Sequence, residues 1–204
     1  MAAPIRFYFD FASPYAWFAL NGIEGLAREH RRSIAWRPVL LWAVLKAQGI
    51  PAPLDAPARR GYLVADMVRS AAFHGVPFAL PERLGVSTHL AGRLFYALTE
   101  TRPEIAPHIA HALLHAHLVE GRSLAEAAVV LETAAAFGMT EASARATLAD
   151  PGTKRRLAAA VDEAVAAGVC GSPYFVVDGE GFFGADRLPQ IAWRLAGGNR
   201  REPA

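Results

Sequence analysis

Residues 5–17 read IRFYFDFASPYAW, and this stretch decides how the rest of the chain is understood. Ile5, Phe7, Phe9 and Phe11 alternate with Arg6, Tyr8 and Asp10, an aromatic period of two that predicts a half-buried strand. From Trp17 the spacing turns helical, through Leu20, Ile23, Leu26 and Ala27. Ser13 and Pro14 sit at the change, which makes Ser13 an N-cap and Pro14 the first helical residue. A hydroxyl is thereby placed beside unsatisfied backbone N–H groups and the positive end of a helix dipole, where an anion is stabilised. Two readings stay open at this point: Ser13 as a cap alone, or Ser13 as part of an anion-stabilising site.

Working outward, residues 34–41 read as a second strand, with Pro38 implying an edge or a strand end. Strand, helix and strand form a βαβ unit, so the two strands should be parallel with a right-handed crossover. The segment 49–57, GIPAPLDAP, lacks periodicity and predicts an irregular loop. About a hundred residues of helical pattern follow. Helices are expected over 59–74, 89–98 and 104–119, then from a capping box at Ser123 to Glu126 as far as Phe137. A shorter one is expected over 140–149, and another is capped by Thr153 and closed by Gly168. Strand patterns return only at residues 174–177 and 182–183, flanking Asp178-Gly179, the best hairpin signal in the chain. Residues 188–195 read as a last helix and 199–204 as a disordered tail.

The implied outline is βαβ, a large all-helical insertion, then ββα. Residues 1–57 and 168–204 would build the sheet domain, and 58–167 the inserted helical one, with a site in the crevice between them. This is a thioredoxin-like α/β plan. In redox members of that fold the start of the first helix holds Cys-x-x-Cys, but here it is Ser13-Pro14-Tyr15-Ala16. Dithiol–disulfide exchange is therefore chemically impossible at this position. A serine hydroxyl there can instead donate a hydrogen bond to a thiolate brought in by a ligand.

Composition narrows the remaining classes. At 204 residues the chain can bury a core without disulfides, and its single cysteine, Cys170, forms no intrachain bridge. No run approaches 18 apolar residues, and the start MAAPIRFYFDF has no basic n-region with a 7–15-residue apolar stretch. The expectation is a cytoplasmic protein without a membrane span. A formal charge of +2 with acids and bases interspersed gives no basic stripe, so nucleic acid is not an expected partner.

The chain resembles the 2-hydroxychromene-2-carboxylate isomerases, relatives of kappa-class glutathione transferases with a DsbA-like thioredoxin fold. The resemblance rests on FYFDFASPYAW at 7–17, RPVLLWAVLKAQG at 37–49, PARRGYLVAD at 57–66 and DEAVAAGVCGSPYFVVDGEGFFGADRL at 162–188. It implies glutathione as cofactor, with Ser13 as the catalytic residue hydrogen-bonding its sulfur. It further implies that Ser172, before a cis Pro173, pairs with the glutathione backbone, and that Asp186 with Arg187 holds the γ-glutamyl end. Ile50 stands where the family has a glutathione-binding Asn; Trp42 stands for a usual Gly, and Cys170 and Tyr174 for Phe and Thr. The implied reaction is cis–trans isomerisation of an aromatic carboxylate from ring degradation, by reversible thiolate addition, in a homodimer. The alternatives are a transferase that releases the glutathione adduct, and a non-catalytic module that binds peptide beside Pro173.

Two other features are weighed as structural. His108, His111 and His115 share a helix face near His117, but Glu104 is the only acid at a usable spacing, and Ile109, Ala112 and Leu113 lie among them, so no metal is assigned. Cys170 has no neighbouring cation in the sequence to activate it and reads as a small apolar core residue.

Overall fold

The computed structural model describes residues 2–198. The first strand, β1 (Ile5–Phe9), is followed by α1 (Pro14–Glu29), β2 (Ile34–Pro38) and α2 (Leu41–Ala47). Six helices come next: α3 (Pro57–His74), α4 (His89–Thr101), α5 (Ala106–Leu118), α6 (Ala127–Ala136), α7 (Glu141–Ala149) and α8 (Pro151–Ala166). The hairpin β3 (Tyr174–Val177) and β4 (Glu180–Phe183) and the helix α9 (Leu188–Leu195) are the last elements of the described residues. All four strands share one sheet in the order β2-β1-β3-β4. β1 and β2 run parallel, and β3 is antiparallel to both β1 and β4. The two sheet-forming ends of the sequence thus meet on β1, as the βαβ and ββα reading requires.

The central position of β1 changes one expectation. Tyr8 and Asp10, read as the outward face, are 1% and 6% exposed. With a helical layer on each side, both faces of β1 are buried. Ile5, Phe7 and Phe9 join Leu20 and Ile23 of α1 and Phe175 of β3 in the larger core. Tyr8 projects to the other side among Val39, Val44, Ala164 and Val176. Phe7 is the hub of the aromatic packing, 4.7 Å from Phe9, 5.0 Å from Phe175 and 5.5 Å from Trp36, centroid to centroid. The same core continues through Phe95 of α4 and Leu113 of α5, so sheet and helical segment are joined by continuous packing.

Several boundaries differ from those read in the sequence. The segment 34–41 is strand only to Pro38, and Leu41, where the sequence predicts the end of the strand, begins α2. Ser123 does not open a capping box: α6 starts at Ala127 after Glu126, which makes no side-chain cap, and the Ser123 hydroxyl serves a local turn at Ala125. α8 is capped by Asp150, whose carboxylate accepts from Thr153 N–H at 3.0 Å, and it starts at Pro151, before the expected Thr153. The hairpin turn is as expected. Asp178 and Gly179 both have positive φ, 50° and 86°, the geometry of a two-residue type I′ turn. The segment 199–204, read as a disordered tail, lies outside the described residues.

Candidate active site

Ser13 is the N-cap of α1 with Pro14 at the first helical position, and its Oγ accepts from Ala16 N–H at 3.4 Å. That is a long cap bond, because the hydroxyl has a second and shorter engagement. Ser13 Oγ donates to the backbone carbonyl of Ser172 at 3.0 Å. The Ser172–Pro173 peptide is cis, as expected. Ser13 is 9% and Ser172 7% exposed, so the bond that joins the βαβ and ββα halves is largely shielded from water. The Tyr15 N–H lies in the first turn of α1, where no intrahelical acceptor exists.

The cis-proline loop is in turn fixed to the segment that carries the acid expected at the γ-glutamyl end. Pro173 carbonyl accepts from Gly184 N–H at 3.0 Å, and a short 3₁₀ turn, Ala185–Arg187, follows. Gly184 has φ 110° and ψ 153°, a region in practice closed to residues with a side chain, and a Cβ there would strike Asp186 Oδ1. Asp186 is exposed and paired with Arg187 at 2.8 Å. The structure thus brings Ser13, Ser172 and Pro173 together and links Asp186 and Arg187 to them through one backbone bond. Ile50 follows the C-terminal end of α2. Its N–H closes the C-terminal end of α2 on Leu45 carbonyl at 2.9 Å, about 10 Å along a seven-residue helix from Leu41. Trp42, in the first turn of α2, is 56% exposed.

Sequence reading missed Asp10 and Tyr15, on either side of Ser13, and the long-range partners they hold. Asp10, taken for an outward-facing strand residue, is buried and accepts from Ala12 N–H at 2.9 Å, Leu41 N–H at 2.8 Å and Thr88 Oγ1 at 2.8 Å. Burial pushes its carboxyl above the usual range, opposed by these three bonds and by the nearby His117. Tyr15 donates to Asp66 Oδ2 at 2.7 Å, tying the first turn of α1 to α3. Burial, then the Asp66 contact, push the Tyr15 phenol well up, and the Arg69 hydrogen bond is the main cause holding Asp66 below the carboxylate range. The only sequence signal was the spacing Asp10-x-x-Ser13, which suits an Asx-type turn before a helix.

Three of the four clustered histidines have partners of their own, and His108 is exposed. His111 Nε2 lies 2.9 Å from Glu24, His115 Nδ1 3.2 Å from Glu120, and buried His117 donates through Nδ1 to Arg122 carbonyl at 3.1 Å. Trp17, His111, His115 and Arg122 line a cavity of about 430 Å³, and Arg60, Val64, Leu80 and Leu84 line one of about 670 Å³; neither includes Ser13 or Ser172. Cys170 is exposed, two residues before Ser172, and not the core residue that its apolar character predicts.

Comparison with known proteins places this geometry in context. A family model described as DSBA-like thioredoxin domain matches residues 4–196. Glutathione S-transferase kappa 2 of Caenorhabditis elegans is 28% identical, covering 94% of this chain and 91% of its own length. A 2-hydroxychromene-2-carboxylate isomerase of Sphingobium xenophagum is 27% identical over 92% of this chain and 95% of its own. A solved structure of 2-hydroxychromene-2-carboxylate isomerase superposes with a TM-score of 0.83 at 22% identity, covering 95% of this chain and 94% of that one. No α-helix among the described residues is long and apolar enough to cross a membrane.

Proposed function

This chain belongs to the DSBA-like thioredoxin domain family, and from that premise we propose that it is a glutathione-dependent isomerase acting on an aromatic carboxylate such as 2-hydroxychromene-2-carboxylate. The observation that carries the reading is Ser13: a hydroxyl at the N-terminus of a 16-residue helix, 3.0 Å from the carbonyl before a cis proline, where redox members of the fold hold cysteine. With serine at 13 and alanine at 16, the protein brings no thiol of its own to this position. Its relatives named as kappa-class transferase and isomerase support chemistry on a thiol supplied by a ligand.

The residues present suit glutathione. Ser172 carbonyl is an acceptor in peptide geometry, now served by the Ser13 hydroxyl and ready for an incoming amide N–H. Asp186 offers an exposed carboxylate to an ammonium group, and Arg187 a cation to a carboxylate. Glutathione, when bound, supplies a thiolate that adds reversibly to a conjugated double bond and leaves after rotation. The chain's part is to hold that sulfur ionised. Lowering a thiol pKa by two units takes about 2.7 kcal/mol; a charge-assisted hydrogen bond from Ser13 supplies roughly 1.5–3, and a helix N-terminus up to about 2.

We assign the working form to the cytoplasm and to a homodimer, and treat the helical segment 58–167 as an inserted unit covering the site. Ile50 removes an amide from the glutathione contacts, so binding rests on the Ser172 backbone and Asp186. Calorimetric titration with glutathione tests the reading: saturable binding lost in Asp186→Ala supports it, and absence of binding by the wild type refutes it. Product analysis then separates isomerase from transferase. Free glutathione recovered after turnover identifies the former, and a stable adduct identifies the latter, the reading favoured by the kappa-class relative.

A further inference from the structure

Asp10 is engaged at every polar atom, and its partners lie in four separate segments. Its N–H donates to Ser172 Oγ at 3.0 Å in the cis-proline loop, and its carbonyl accepts from Ser13 N–H at 3.0 Å. Its Oδ1 accepts from Ala12 N–H and Thr88 Oγ1, and its Oδ2 from Leu41 N–H. The last two bonds explain an oddity of the helix ends. Leu40, the N-cap of α2, has no capping side chain, and Thr88, the N-cap of α4, does not cap its own helix. One carboxylate takes the first N–H of α2 and the hydroxyl that precedes α4. These bonds converge beside the hydroxyl of Ser13 and the backbone of Ser172, the two groups that the proposed function assigns to the thiol and to its peptide.

We propose that Asp10 is the positioning residue of the site, a buried carboxylate that holds the Asp10–Ser13 turn, the cis-proline loop and the starts of α2 and α4 in one register. It touches no ligand; it acts through Ser13 and Ser172. The chemistry of the partners says which form does so. All three groups facing the carboxylate are donors, so the ionised acid satisfies them together, and a neutral amide at this place would turn its NH₂ against either Leu41 N–H or Ala12 N–H. Among titratable groups of the packed elements, His117 of α5, itself 2% exposed, favours this charge when protonated, and burial pushes its own pKa down, so the donors carry the ionised form. His117 acts at a distance, since its Nδ1 is committed to Arg122 carbonyl.

A purely electrostatic role for Asp10 predicts the opposite outcome, which makes the inference testable. A negative charge near the sulfur disfavours the thiolate, so if charge were all that mattered, Asp10→Asn would lower the pKa of the bound thiol. If Asp10 positions, Asp10→Asn misplaces the Ser13 hydroxyl and raises that pKa by about one unit, the size expected when one charge-assisted hydrogen bond is lost.

The inference rests on the glutathione reading, and four proteins separate the two: wild type, Asp10→Asn, Ser13→Ala and the double variant, each titrated for thiolate absorbance with glutathione saturating. The expected result is a rise in Asp10→Asn and no further rise when it is added to Ser13→Ala. A fall, no change, or an equal rise in the Ser13→Ala background overturns the proposal while leaving the glutathione reading in place. Absence of glutathione binding by the wild type overturns the reading and the inference with it. Thr88→Val, which deletes one of the three carboxylate bonds and leaves the backbone caps, serves if Asp10→Asn does not fold. It should raise the thiol pKa by a smaller step that also disappears in the Ser13→Ala background, and an unchanged pKa in Thr88→Val would count against the proposal.

Discussion

Replacing Ser13 by alanine should change two measurable quantities whose sizes follow from its two hydrogen bonds. The first is stability. The cap to Ala16 N–H is 3.4 Å long and belongs at the weak end of N-cap contributions, about 0.5 kcal/mol. The bond to Ser172 carbonyl at 3.0 Å is an ordinary neutral one, about 1 kcal/mol. Together the loss is about 1.5 kcal/mol, which for a chain of this size lowers Tm by roughly 3–6 °C. The second quantity is the pKa of bound glutathione. A charge-assisted bond of roughly 1.5–3 kcal/mol corresponds to about one to two pKa units. The hydroxyl has one proton, however, and in the unliganded protein it goes to Ser172. If the glutathione amide takes over that carbonyl, the exchange is even and the full shift stands. If it does not, about 1 kcal/mol is forfeited, and the shift falls to roughly half a unit to one and a half units. Thiolate absorbance against pH, at saturating glutathione in wild type and Ser13→Ala, measures it. Superimposed titration curves with turnover abolished would reject thiol activation and leave Ser13 as a cap or a direct nucleophile.

Three further outcomes are expected. Phe7→Ala, at the fully buried centre of the Phe9, Phe175 and Trp36 packing, should cost about 3–5 kcal/mol in urea unfolding; a loss below about 1 would contradict the placement of β1 at the middle of the sheet. Asp178→Asn keeps the positive-φ turn but removes the ion pair to Arg32, whose hydrogen bond is the main cause depressing the Asp178 pKa. A depressed carboxyl stabilises above its unfolded pKa of about 3.9 and ceases to do so as pH falls through the folded value. The wild type should therefore exceed the variant by about 0.5 kcal/mol at pH 7, a figure reduced for partial exposure, and acid should erase the difference; a pH-independent gap would exclude the ion pair as its source. Gly184→Ala forces a side chain into a glycine-only backbone region and against Asp186. Glutathione affinity should drop as it does in Asp186→Ala, with no further drop in the double variant; additive losses would show that Gly184 does not act through Asp186.

What was legible in the sequence was what neighbouring residues determine. Ser13-Pro14 marks the strand-to-helix junction because cap and first helical residue are adjacent, and Asp178-Gly179 marks the hairpin because the turn itself needs positive φ twice. The family resemblance supplied the cis Pro173, which adjacency alone could not. What escaped was set by partners far along the chain. α2 looked like the end of a strand because Leu40-Leu41 is apolar and has no local cap; its cap is Asp10, 31 residues earlier. Asp10 itself looked solvent-facing because its alternation with Phe9 and Phe11 was read as one-sided burial. Its satisfaction depends on Thr88 and Ser172, 78 and 162 residues away. The failures at Ser123 and Thr153 have a different cause. Each is a good cap residue close to another candidate, and three-residue spacing does not say which of two starts the chain adopts.

The distances around Asp10 also bound how much help a thiolate can receive. The first N–H of α2 and the hydroxyl that precedes α4 also point toward the end of β1, where free donors would add to what the N-terminus of α1 gives an anion. Both are already taken: Leu41 N–H and the Thr88 hydroxyl terminate on the Asp10 carboxylate. An anion arriving at Ser13 therefore meets the N-terminus of α1 alone, with the Tyr15 N–H in its first turn and the Ser13 hydroxyl beside it. One helix end is worth up to about 2 kcal/mol in a partly buried site and one charge-assisted bond roughly 1.5–3. The combined depression is then about one to three and a half units from an ordinary thiol pKa of about 8.5. That range is enough to ionise a thiol near neutral pH. It is also small enough for the thiolate to remain a competent leaving group and a competent nucleophile, the condition for adding to a double bond and departing again.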